Sequence, residues 1–167
     1  MIDTRYVQQM ARYNAWQNQS LYGAADKLTD AERRKERGAF FGSIQKTFSH
    51  LMYADRLWIS RFTGSERPPG RLAESPLLYP DWELLKRERE AVDGQIVRWA
   101  DGLDPAWLAG ALSYRSESAN RDITDARGML VTHFFNHQTH HRGQIHCMLT
   151  QAGSRPDDTD LPLMPGA

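Results

Sequence analysis

Apolar side chains recur along this chain at steps of three, four and seven over four long stretches, the spacing that lines one face of an α-helix. The first stretch runs from about Thr4 to Leu28, with Tyr6, Met10, Tyr13, Leu21 and Leu28 as candidate inward positions. The second runs from about Ser43 to Phe62, where Ile44, Phe48, Leu51, Trp58 and Phe62 repeat in the same way. Gly42-Ser43 suits its start and Gly64 its stop. The third, about Trp82 to Ala100, carries Leu85, Val92, Ile96 and Trp99 among charged residues. The fourth, about Asp125 to Ala152, ends at Gly153, the residue type favoured just past a helix.

The connections read differently. SERPPGRLAESPLLYP, between the second and third stretches, holds four prolines and is a loop. Between the third and fourth, LSYRS and RDIT read as two short strands around the polar turn ESAN. The Pro- and Asp-rich end, SRPDDTDLPLMPGA, reads as an extended tail. Four long amphipathic helices in about 150 residues argue for an all-α four-helix bundle, with a short β-hairpin between its third and fourth helices. Residues 1–153 would form one domain and 154–167 the tail, as the length of 167 residues also suggests.

Charge and composition narrow the function. Lys plus Arg equals Asp plus Glu at 21 each, so the net charge is zero. A nucleic-acid binder needs a basic excess or stripe to neutralise phosphates, and the longest basic run, Arg33-Arg34-Lys35, lies between Glu32 and Glu36. Direct nucleic-acid contact is not expected. The N-terminal MIDTRYVQQMARYN has no apolar signal core, and no apolar run approaches the roughly 18 residues of a membrane span. One cysteine, Cys147, forms no internal disulfide. The expectation is a cytoplasmic protein without a membrane partner.

Five of the six histidines then change the picture, because they crowd the last helical stretch: His133, His137, His140, His141 and His146. At about 100° per residue, His141 falls inside the apolar stripe of Leu130, Phe134, Ile145, Met148 and Leu149, and His137 at its edge one turn earlier. His146 points nearly opposite, and His133 and His140 stand away from the stripe. Side chains one turn apart have Cβ atoms only about 5–6 Å apart, so His137 and His141 can share a divalent ion. A third ligand must come from elsewhere. His50, flanked by Phe48, Leu51, Ala54 and Leu57 in the second stretch, reaches the same point if the two helices are neighbours. The alternative is ordinary: surface histidines on a polar helix face, with His50 as a satisfied rim residue. Zincin chemistry is excluded because Gln138 stands where a glutamate base is needed. No Glu stands three residues before a histidine, which excludes a di-iron bundle.

FNHQTHHRGQIHCMLTQAG, with its H-x-x-x-H-x-G-Q pattern, closely resembles the last-helix motif of the DinB family (DinB/YfiT-like metal-binding proteins). YNAWQN and GSIQKTFSHLMYADRLWISRF resemble the family's two upstream blocks, in order, so the likeness covers essentially the whole chain. The resemblance implies an up-down-down-up four-helix bundle, a homodimer, and one divalent transition-metal ion, Zn or Ni, held by His50, His137 and His141. Asn136 and Gln144 fit the motif and would orient the ligand rings; ordinary helix packing or solvation explains them equally. Asp55 could orient a histidine, with a surface ion pair the simpler account; Arg142 reads as serving an ion pair or the dimer surface, and Cys147 as inert.

An open three-histidine ion supports thiol S-transfer, with a low-molecular-weight thiol as co-substrate, or hydrolysis of another small molecule. No general base is evident, and the catalytic residues stay unassigned. A second reading, from another class, is a non-catalytic, stress-related binding or dimerisation module whose ion only stabilises the fold. The family name suggests DNA repair, but the neutral charge argues against direct contact with DNA.

Overall fold

The computed structural model describes residues 2–166. It is mostly helical: α1 (Thr4–Asp26), α2 (Asp30–Arg34), α3 (Ile44–Thr63), α4 (Trp82–Asp101), α5 (Pro105–Leu108) and α6 (Arg127–Gln151), with strands β1 (Ala111–Ser116) and β2 (Arg121–Ala126) before the last helix. The four long helices match the four periodic stretches to within two residues at each end. Their starts are chemically marked. Asp3, Ser43 and Asp81 each accept a hydrogen bond from a backbone N–H three residues on, satisfying a donor that the first turn leaves unpaired. Gly64 ends α3 in the left-handed conformation, at φ 71°, where any other side chain would be strained.

α1 packs against α4 and α6, and α3 packs against the same two helices. The core between them includes Phe48, Leu51 and Ile59 of α3, Leu85 and Ile96 of α4, and Phe134, Ile145 and Leu149 of α6. On α1 the buried line differs from the expected one. It follows Val7, Ala11, Asn14, Asn18, Leu21 and Ala25, while Tyr6, Met10 and Leu28 only pack on the margin of the core and Tyr13 is half-buried. Small and polar residues hold the inward face there, so a count of apolar positions points about one residue off.

The hairpin pairs antiparallel from Ala111↔Ala126 to Ser116↔Arg121, as the two short strands predict. It is fixed to α3 by Arg61, whose guanidinium lies over the rings of both Trp58 and Tyr114. The Pro-rich loop after α3 is more ordered than its composition suggests, since residues Leu72–Leu77 form a 3₁₀ turn. The C-terminal segment does not hang free. Ser154, Asp157, Asp158 and Thr159 hydrogen-bond to residues of α1, and Met164 is buried. Among the described residues no helix is long and apolar enough to cross a membrane.

Candidate metal centre

α3 and α6 are neighbours, and this brings His50 to the pair on α6. The three rings converge through one nitrogen each. His137 Nε2 lies 3.3 Å from His50 Nε2 and 3.1 Å from His141 Nε2. His50 and His141 are buried, and His137 is half-buried. Zn–N bonds of about 2.0–2.1 Å at tetrahedral angles place ligand nitrogens about 3.3 Å apart. The spacing therefore fits a single ion. The other three histidines stay outside the cluster: His133 and His140 are exposed, and His146 faces Tyr13 and Gln17 of α1 in a separate cleft.

Hydrogen bonding at the far side of two rings fixes which nitrogen keeps a lone pair. Ser75 Oγ donates to the carbonyl of Leu72, so it accepts from His50 Nδ1–H at 2.8 Å. Gln144 Oε1, an acceptor only, receives Nδ1–H of His141 at 2.9 Å, while the Gln144 amide nitrogen faces His140. Both Nε2 atoms are thus unprotonated and aimed at His137. His137 Nε2 carries at most one hydrogen, which can bridge to only one of them. Its Nδ1 is buried with no partner among the described residues. Three converging imidazole nitrogens with too few protons between them suit a cation.

The electrostatics agree with neutral ligands. Burial, then the neighbouring His141, push His50 down to about 3. Burial, then His141 and His50, do the same to His137, also to about 3. His141 is lowered by burial, partly offset by Gln144. All three are unprotonated at neutral pH, the state a metal ligand needs.

Ser75 was not visible as a site residue in the sequence, because it lies in the Pro-rich loop. The loop is pinned over His50 by α3 itself. Ser49 Oγ donates to the Ser75 carbonyl and accepts from Tyr79 N–H, and Gln45 donates to the Tyr79 carbonyl. Phe41 was missed as well. Its ring packs on His50 with centroids 4.0 Å apart and lies 5.4 Å from His141. Of the two candidate orienting residues, Gln144 touches the ring of His141. Asn136 is exposed and makes no hydrogen bond to the three rings among the described residues.

Two further expectations are corrected. Asp55 is no surface ion pair: it is fully buried and accepts from Arg89 at 2.7 Å. Arg89 also lies 2.8 Å from Asp93, which accepts from Asn14 and Asn18. Burial outweighs the Arg89 contact and raises Asp93 to about 6. Arg142 lies inside the same layer, donating to Asn14 Oδ1 and facing the ring of Tyr13, and forms no ion pair within 4 Å among the described residues. Cys147 is exposed and has no disulfide partner.

Protein DinB of Bacillus subtilis (strain 168) is 28% identical over 166 residues, spanning 90% of this chain and 88% of that one. The crystal structure of a DinB-like protein from Bacillus cereus ATCC 10987 superposes with a TM-score of 0.63 at 18% identity, over 86% of this chain and 90% of the other. The latter likeness speaks for the fold alone. The DinB family model matches residues 1–166, and the chain belongs to the DinB family.

Proposed function

We propose that His50, His137 and His141 hold one divalent transition-metal ion, Zn or Ni, at a centre that serves a metal-dependent enzyme of the thiol S-transferase or hydrolase type. The observation that carries this is the convergence of three imidazole nitrogens at 3.1 and 3.3 Å, two of them with their lone pairs set by Ser75 and Gln144. In this reading the four long helices are the up-down-down-up bundle of the family, residues 1–153 are one domain, and the protein works in the cytoplasm as a homodimer.

Three protein ligands leave at least one coordination position for substrate, the arrangement that distinguishes a reactive ion from a closed structural one. Bound there, a divalent ion supplies a Lewis acid able to polarise a carbonyl or to take a thiolate as ligand. The protein's own residues do the rest. Ser75 and Gln144 hold two rings in the tautomer that ligates. Phe41 walls off one side of the cluster, lowering the local dielectric and limiting water. A cleft bordered by His50 opens to solvent and gives a small molecule access.

Cobalt substitution tests the reactive character of the ion. The Co(II)-loaded protein should show a visible spectrum that shifts on addition of a small thiol such as 2-mercaptoethanol. A spectrum insensitive to thiols and to acetohydroxamate would mean a closed coordination sphere, as for a module whose ion is purely structural.

A further inference from the structure

The cleft beside His50 has a volume of about 680 Å³, within the usual range of small-molecule sites. Its walls are unlike the rest of this neutral chain. Arg67, Arg71 and Arg115 line it against a single acid, Glu117, and Phe40 and Phe41 supply an aromatic side. Five separate segments meet here: the turn before α3, α3 itself at His50, the loop after it, β1 and the hairpin turn.

The three arginines are not equivalent. Arg67 is occupied, because it pairs with Glu117 and donates to Tyr53 Oη and the Gly70 carbonyl. Glu117 in turn accepts from Leu72 N–H at 3.0 Å, so this pair ties the hairpin turn to the loop. Arg71 is exposed and forms no ion pair among the described residues. Arg115 donates to Asn120 Oδ1 and lies 3.6 Å from the exposed carboxylate of Asp122, a contact too solvated to hold it firmly.

Phe40 is the other anomaly. It sits at a tight turn closed by Gly42 N–H on the Ala39 carbonyl, and 81% of it is exposed, more than any other large apolar side chain described. Its ring meets Phe41 edge-on at 4.9 Å, and Phe41 meets His50. A continuous aromatic edge therefore runs from solvent to the histidine cluster.

We propose that this cleft binds a small organic anion, its anionic end held by Arg71 and Arg115, its apolar body against Phe40 and Phe41, and its other end directed toward His50. Arginine is the side chain best suited to a carboxylate or phosphate, through paired N–H donors in one plane. The inference deepens the metal-centre reading by naming a substrate class, and rests on that reading only at the His50 end.

The test is calorimetric titration of the full-length protein, metal-free and Zn-loaded, with 4-phenylbutyrate, its neutral amide and phenyl phosphate. The anions should bind at least about tenfold more tightly than the amide in both forms, since a charge-assisted pair contributes about that factor. In the Arg71→Glu/Arg115→Glu double variant the preference should fall below about twofold, with the melting temperature of wild type. Arg71→Gln alone should lie between. Tighter binding of the phosphate assigns a phosphorylated ligand and of the carboxylate a carboxylic acid; both support the arginine wall. Phe40→Ser should weaken all three probes alike. No anion preference in metal-free wild type, a preference seen only with zinc, a preference that survives the double charge reversal, or a Phe40→Ser variant binding like wild type would each overturn the proposal. A protein that takes up no zinc yet keeps the preference in its metal-free form would overturn the metal reading and leave this one standing.

Discussion

Two polar clusters are buried among the long helices of this protein, and they are built in opposite ways. The layer of Asp55, Arg89, Asp93 and Arg142 contains its own cations. Arg89 lies between two carboxylates, Asn14 and Asn18 donate to the same Asp93 oxygen that Arg89 contacts, and Asn18 also reaches the other. The histidine cluster contains none: Ser75 and Gln144 turn the Nε2 lone pairs of His50 and His141 inward onto His137, whose one N–H can serve only one of them. A buried charge is tolerated when a partner comes with it, and a buried set of acceptors is tolerated when something positive fills it. The first cluster brings its own counter-ions. The second brings none, and its geometry suits a cation.

The comparison breaks most violently at Asp55. Asp55→Ala leaves Arg89 with one carboxylate in a dry interior, and should cost roughly 3–5 kcal/mol, a large part of the stability of a small domain. Urea denaturation should show this loss equally with and without added Zn²⁺, because this layer does not depend on metal. His50→Ala should behave in the reverse manner. Its metal-free stability should be near that of metal-free wild type, while the stabilisation by zinc, about 2.7 kcal/mol at a hundredfold excess over Kd, should vanish. Loss of stability in both forms would place His50 with the structural layer.

Ser75→Ala and Gln144→Leu sharpen the same contrast without removing a ligand. Each frees one ring to change tautomer or rotate, and each should weaken metal binding by about 10–100-fold in a competition titration with a chromogenic chelator. Asn136→Ala, exposed on α6, should leave the affinity unchanged.

Acid separates the clusters by sign. His50 and His137 sit near 3 against an ordinary 6.5, so the unfolded chain binds the extra protons and stability falls as pH drops below about 6.5. Asp93, raised to about 6 from 3.8, is protonated first in the folded state and contributes in the other direction as pH drops through 6. Two histidines outweigh one aspartate, so metal-free protein should still lose stability clearly between about pH 7 and pH 5 in thermal melts, with Asp93 offsetting part of the loss. Asp93→Asn should steepen it. The smallest effect is expected at Phe40, whose replacement by Ser should change stability by less than about 0.5 kcal/mol, because the ring is already in water.

What could be read from the chain follows from the range of each signal. Helix positions are local, carried by periodicity and by caps such as Ser43 and Asp81, and they emerge nearly whole. The convergence of His50, His137 and His141 was also legible, because two of them share one helix face and the third lies on an apolar flank. The short helices α2 and α5 carry too few turns to show a period. Asp55 and Arg142 look like surface residues in one dimension. Their burial depends on partners such as Arg89 and Asn14, which come from other helices and cannot be paired by pattern. Ser75 and Phe41 were hidden for the same reason: each sits in a loop, and only tertiary packing sets it against a histidine.

The account turns on the histidine cluster binding a cation, and elemental analysis of untagged protein tests that most directly. Wild type should carry about one transition-metal ion per chain, and His141→Ala should carry none while keeping its helical circular dichroism. Wild-type protein that holds no metal, even after incubation with Zn²⁺ or Ni²⁺ and desalting, would contradict it.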